Sequence, residues 1–212
     1  MLPKEEKECY INRAEIDALH ELVDDRMSRW FYFYEKTGCR ATDPFKGFLE
    51  GDVWKISPAE AKAKHWHYYP LSKELQYIWM ELQDLRQSYE DEGRTKEEAI
   101  KTAYRLIQKN MYRAIRELKL TGVISKDKKL TPKSFRHTFG IINVHITGNI
   151  YAVRDMLNHT NVNTTQEYLD MPSYLVHQEF PEVVQKSNFR GESIPQSSNT
   201  LSPLTPPAEG VS

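Results

Sequence analysis

Apolar side chains recur every three or four residues over several long stretches of the chain, and that spacing predicts a mainly helical protein. The first series is Ile16, Leu19, Leu22, Met27, Trp30, Phe31 and Tyr34, which lays an apolar stripe along one side of a helix. Asn12 with Glu15 three residues on has the form of a capping box at its start, and Gly38 after Thr37 suits its end. The expectation is one amphipathic helix from 12 to about 37. Between 52 and 71 the period shortens. Val53-Trp54-Lys55-Ile56 and His65-Trp66-His67-Tyr68-Tyr69 read as a small antiparallel hairpin, with Pro58 in the intervening loop. Helices are predicted next over about 73–90 and 96–118, broken at Glu92-Gly93-Arg94 and closed by Thr121-Gly122.

Thr131 as N-cap and Pro132 in the first turn open a further helix that should run to about 145, before Thr147-Gly148-Asn149 breaks it. A shorter helix over 150–158 and a turn over 161–164 lead into the segment that carries Gln166-Glu167-Tyr168-Leu169. From Ser187 onward Ser, Pro, Thr and Asn dominate, with too little apolar content to offset the entropy of ordering. The expected organisation is therefore an extension or linker over 1–11, one domain over 12–186 and a disordered tail over 187–212.

A chain of 212 residues is long enough to bury a substantial core. No apolar run approaches the roughly 18 residues of a spanning helix, and the first residues carry no secretory apolar stretch. Two cysteines make neither a disulfide framework nor a Cys-rich metal site, so a cytoplasmic location is expected. Net charge is only −1, but its distribution is uneven. Residues 101–140 hold eleven basic residues, from Lys101 and Arg105 to Lys133 and Arg136, against Glu117 and Asp127 alone. That local excess suits a nucleic-acid-binding face, although a set of solvated helix faces would look the same.

One constellation goes beyond such generalities. Arg136-His137-Thr138-Phe139 is followed 23 residues after Arg136 by His159, in Leu157-Asn158-His159, and nine residues later by Tyr168. Upstream stand Thr37-Gly38-Cys39-Arg40, then Asp43, and Lys62 lies eight residues before Pro70-Leu71. In type and spacing this resembles the phage-integrase family of tyrosine recombinases, over roughly residues 12–184. The resemblance implies a mainly α catalytic domain with a small antiparallel β-sheet. It also implies an enzyme that cleaves and rejoins double-stranded DNA through a 3′-phosphotyrosine, with no metal, ATP or other cofactor.

On the same basis Tyr168 is the nucleophile, Arg40 and Arg136 clamp the phosphate, His159 donates a hydrogen bond to it, and Lys62 protonates the leaving 5′ oxygen, with Lys64 as a close competitor. Those residue types suit the chemistry. Extra negative charge on a pentavalent phosphorus must meet fixed cations and donors, and guanidinium offers the paired donors that match phosphate oxygens. Two positions depart from the family pattern. Lys133 stands where these integrases usually have histidine and would supply charge rather than accept a proton. Asn158 replaces the usual glycine before His159, and asparagine tolerates a left-handed backbone better than most residues.

The family resemblance further implies a tetramer on two DNA sites, a segment over 174–184 that docks on a neighbouring protomer, and a separate N-terminal helical domain that closes around DNA. The residues before Asn12 are too few to form that domain, as in a catalytic fragment or a naturally short protein. Two other readings remain: a type IB topoisomerase-like nicking and rejoining enzyme, encouraged by Lys133, and a DNA-binding accessory or regulator derived from a recombinase. His65, His67 and His137 with Cys39 fit no metal-ligand spacing.

Overall fold

The computed structural model describes residues 10–160, 162–169 and 171–188. Among them helices predominate beside one three-stranded antiparallel sheet, the class that the residue pattern predicts. Helix α1 covers Arg13–Glu21 and opens on the expected capping box: the Asn12 side chain accepts from the Glu15 amide at 2.8 Å, and the Glu15 carboxylate accepts from the Asn12 amide at 2.9 Å. The single long helix expected here is two. Asp24 accepts from the Met27 amide at 2.8 Å and starts α2, Asp25–Thr37. An aspartate inside an apolar series competes for backbone donors and so begins a new helix rather than extending the old one. Helix α2 ends at Gly38, whose φ of 57° is open to glycine at little cost.

The sheet has one strand more than the hairpin read from the sequence. Strands β1 (Phe48–Glu50), β2 (Val53–Ile56) and β3 (His67–Pro70) pair in that order, joined at β1–β2 by Gly51-Asp52. Strand β3 begins two residues later than expected, and Lys62 and Lys64 lie in the loop that precedes it. Trp54 pairs with Tyr69, and Ile56 with His67. All four side chains are buried, and the Trp54 and Tyr69 rings stack with centroids 4.4 Å apart.

Helices α3 (Lys73–Asp91) and α4 (Lys96–Leu120) start where the pattern predicts and pack on one another. Helix α5 covers Lys133–Thr147, but Thr131 is not its side-chain cap. Pro132 occupies the cap position, and the Ser134 hydroxyl accepts from the Thr131 amide at 3.1 Å. Beyond Gly148 follow α6 (Ile150–Met156), capped by Asn149, then α7 (Asn163–Gln166), a 3-10 turn over Glu167–Leu169, α8 (Ser173–Glu179) and α9 (Pro181–Asn188). Helix α9 thus carries two residues assigned above to the tail. The rest of the tail from 189, residues 1–9, Asn161 and Asp170 lie outside the described residues.

Two apolar clusters form the core. The larger gathers Trp30, Phe31, Phe33, Phe45, Trp54 and Phe135 from α2, a 3-10 turn over Asp43–Phe45, the sheet and the start of α5; the smaller gathers Ile141, Val144, Leu157, Tyr168, Val176 and Phe180. Helix α5 belongs to both and is the spine of the domain. Within this chain the segment over 174–184 packs on α5, and Arg13 meets Glu182 at 2.6 Å. No helix among the described residues is long and apolar enough to cross a membrane.

The entering chain is pinned to α5 by one hydroxyl. Thr138 Oγ1 lies 2.8 Å from both the amide nitrogen and the carbonyl oxygen of Ile11, with both residues fully buried. Thr138→Val keeps the shape but strands two backbone groups away from water, which should lower the unfolding free energy by about 1–3 kcal/mol. Urea denaturation measures this, and a loss under about 0.5 kcal/mol would contradict the assigned role.

Candidate active site

Arg136 sits on the first turns of α5, where the two core clusters meet, and only 5% of it is exposed. Among the described residues it meets no carboxylate. One guanidinium nitrogen donates to the Gly38 carbonyl at 2.7 Å and the other to the Leu157 carbonyl. Burial pulls its pKa below the ordinary arginine value, and the neighbouring Arg40 acts in the same direction. Arginine keeps its proton through such perturbation, so the site holds a fixed positive charge.

Arg40 follows the α2 cap by two residues and approaches from the other side. Its guanidinium donates to the Asn158 carbonyl at 2.9 Å and lies 3.3 Å from a ring nitrogen of His67 and 4.0 Å from Asp43. Asp43, buried like His67, also accepts from the Tyr69 hydroxyl at 3.3 Å. The carbonyls of Leu157 and Asn158 thus hold one arginine each. Asn158 adopts φ 51°, the left-handed backbone anticipated for it.

His159 follows at once, with Nδ1 2.9 Å from the hydroxyl of buried Thr165. Burial first, then the charges of Arg136 and Arg40, lower its pKa to about 4. His137 is lowered to about 4 as well, by burial and then by Lys133 and Arg136. Both imidazoles are neutral at pH 7 and add hydrogen-bonding capacity without further charge. Lys133 is exposed at the start of α5, close enough to act on both histidines.

Tyr168 lies on the 3-10 turn and is 5% exposed. Its ring stands edge to face with His137, centroids 5.9 Å apart, and presses on α5 so closely that a Cβ added at Gly140 would collide with it. Arg136 is within electrostatic reach of Tyr168. Cys39, in the same neighbourhood, has a buried thiol whose pKa burial pushes up, so it stays protonated.

The fold therefore gathers Arg40, Arg136, His159 and Tyr168, with Lys133 at the rim. Lys62 shares no hydrogen bond or ion pair with that cluster: it is exposed on the β2–β3 loop, as is Lys64, and neither side chain has a hydrogen bond or ion pair among the described residues. What the hairpin brings to the arginines is His67. Sequence reasoning had considered His67 only as a metal ligand and had passed over Thr165 and Gly140. A glycine inside a helix does leave a signal, since it costs about 1 kcal/mol against alanine and marks a close approach. For Thr165 and His67 no local pattern reveals the contact.

A basic face lies on α4. Lys101, Arg105, Lys109, Arg113 and Arg116 recur at helical spacing and are all exposed. The basic excess read from the sequence is not all on this surface. Lys128 is buried in an ion pair with Glu15 at 2.7 Å, and Lys119 donates to the carbonyls of Lys126 and Lys128.

No curated protein is significantly similar to this chain in sequence. Among solved structures, the XerA recombinase aligns over 85% of this chain and 65% of its own, with a TM-score of 0.55 at 20% identity. An integrase of the Tn1549 transposon, in complex with transposon right-end DNA, aligns over 87% and 68%, with a TM-score of 0.56 at 14% identity. The XerH site-specific recombinase, bound to its difH substrate in a pre-cleavage complex, aligns over 84% and 54%, with a TM-score of 0.50 at 15% identity. The chain thus spans about 65% of the XerA chain and 54% of the XerH chain. At such identities the likeness shows a shared fold. The description "Phage integrase family" matches residues 48–173, more than half of the chain, and by that match the protein belongs to the phage integrase family of tyrosine recombinases.

Proposed function

We propose that this protein is a site-specific DNA recombinase or integrase that cleaves and rejoins double-stranded DNA through a 3′-phosphotyrosine at Tyr168. The observation that carries this reading is a cationic centre made by buried Arg136 and half-buried Arg40, with no carboxylate on Arg136 among the described residues and a tyrosine within electrostatic reach. A buried charge without a counter-ion is costly. A diester phosphate seated between the two guanidiniums would supply the missing negative charge.

The steps follow from the groups present. The Tyr168 hydroxyl gives up its proton to water beside the two guanidiniums, its oxygen attacks the phosphorus in line, the bond to the 5′ oxygen breaks, and the phosphoryl group stays on the protein as a 3′-phosphotyrosine ester. Arg40 and Arg136 bind the nonbridging oxygens as charge builds on them, and neutral His159, steadied by Thr165, donates a further hydrogen bond. Lys133 adds positive charge at the rim. Lys62 would move with its exposed loop onto the bound DNA and protonate the departing 5′ oxygen. The same ester later reacts with a 5′ hydroxyl, so rejoining consumes no ATP and this set of residues calls on no metal.

The exposed basic face of α4 would carry the duplex backbone. A DNA-bound recombinase and a DNA-bound transposon integrase of the same fold support a duplex as partner. Exchange between two sites requires two cuts on each, which suits a tetramer of cytoplasmic protomers.

Two outcomes are expected. Tyr168→Phe removes one oxygen from a buried ring, so it should bind DNA as the parent does yet give no covalent complex on a nicked suicide substrate. A covalent band from the Phe variant on a denaturing gel would remove Tyr168 from the mechanism. DNA affinity should fall steeply with salt, with a log–log slope steeper than about −3 if at least four of the five α4 cations each neutralise a phosphate at roughly −0.9 apiece. A nearly flat plot would show that α4 does not carry the backbone.

A further inference from the structure

The two faces of the sheet differ sharply. The inner face is buried and supplies His67 to the arginine centre, whereas the outer face carries aromatic rings that stand exposed among the described residues. Phe48 pairs across the sheet with Lys55, and Lys55 with Tyr68, which sets Phe48 and Tyr68 on one face with a lysine between them. Trp66, two residues before Tyr68, joins them. Its ring lies within 23° of parallel to Tyr68 at 6.3 Å and stands edge-on to Phe48 at 6.4 Å. Phe48, Trp66 and Tyr68 are 46%, 41% and 51% exposed.

Lysines interleave with these rings. Residues 62–68 read Lys-Ala-Lys-His-Trp-His-Tyr. Among the described residues Lys62 and Lys64 have no carboxylate partner: nearby Glu60 is taken by Lys96 at 2.6 Å, and Glu50 by Lys55 at 2.7 Å. The centre of a protein–protein contact is depleted in lysine, so this composition is a poor match for a protein partner. A duplex is a poor match too, because its bases are already stacked on one another. Clustered aromatic faces flanked by uncompensated cations fit unpaired bases with their phosphates.

We propose that the outer face of the sheet is a stacking platform for a single strand of DNA, with Phe48, Trp66 and Tyr68 taking bases and Lys62 and Lys64 taking phosphates. This rests on the proposed reading as a DNA-cleaving enzyme. A cut that retains the 3′ phosphate on Tyr168 leaves a free 5′ strand, which must leave its duplex before it can be joined elsewhere. The platform lies on the hairpin whose inner face touches Arg40 through His67, so it is well located to hold bases that have come unpaired.

The test uses the tryptophans of the full chain. Trp30, Trp54 and Trp79 are 1%, 0% and 8% exposed, so a quenching ligand at the surface reads Trp66. Titration with an eight-residue thymidine strand should quench that fluorescence saturably, and an abasic strand of equal length should bind at least about 5-fold more weakly. Tyr68→Ala and Phe48→Ala should each weaken the thymidine strand by about 5- to 150-fold, while Tyr68→Phe, which keeps the ring, should bind as the parent does. Circular dichroism confirms that these surface variants fold. Equal binding of abasic and thymidine strands would overturn the proposal, as would parental affinity in both alanine variants. A Trp66 shift that follows protein concentration without DNA would assign the face to a second copy of the chain and would also overturn it. Cleavage is read separately: a parent chain that forms no covalent complex on a suicide substrate yet shows base-dependent quenching would sink the reading of Tyr168 and leave the platform standing.

Discussion

The structure turns on how a buried guanidinium is satisfied. Arg136 has no carboxylate among the described residues, so its donors are taken by the carbonyls of Gly38 and Leu157, contributed by parts of the chain far apart in sequence. Each carbonyl is presented at or beside a helix end closed by a left-handed residue. Gly38 itself ends α2, and Asn158 with φ 51° follows Leu157 after α6. At such ends backbone carbonyls have lost their helical partners and are open to an external donor. One arginine therefore binds the end of α2 to the end of α6 across α5, and satisfying its donors in this way also assembles the site.

Charge and packing cooperate there. The carbonyls orient both arginines but do not neutralise them, and Asp43 at 4.0 Å from Arg40 is the nearest compensation. The positive potential that remains is expressed in the neighbouring groups. His137 and His159 are held to a pKa of about 4, chiefly by burial and further by the cations beside them. The Tyr168 ring is pressed onto Gly140 within the same small cluster that includes α8 and α9. Helices α8 and α9 thus share one apolar cluster with the turn that carries the proposed nucleophile.

Much of this could be read from the sequence, and the rest divides by physical cause. Helices α3 and α4 were legible because a long apolar period lies between plain stop signals, and both begin at the expected residue. The break at Asp24 was not, because one capping side chain outweighed a continuing apolar stripe. Strand β1 is three residues long and offers no alternation, although Gly51-Asp52 after it is a recognised hairpin turn. In the site, Arg40, Arg136, His159 and Tyr168 emerged from spacing. His67 and Thr165 did not, since their roles arise from side chains that meet only after folding. Strand β3 was expected two residues too early, because an aromatic run was counted as strand from its first residue.

The central claim is that Arg136 acts through paired donors of fixed geometry as well as through its charge. Cleavage of a suicide substrate by Arg136→Lys, compared with the parent under single-turnover conditions and with folding verified, tests it most directly. Lysine keeps the charge but cannot span the Gly38 and Leu157 carbonyls while also presenting two donors to a phosphate, so the cleavage rate should fall by about 10²-fold or more. A lysine variant that cleaves within a few-fold of the parent would contradict the account.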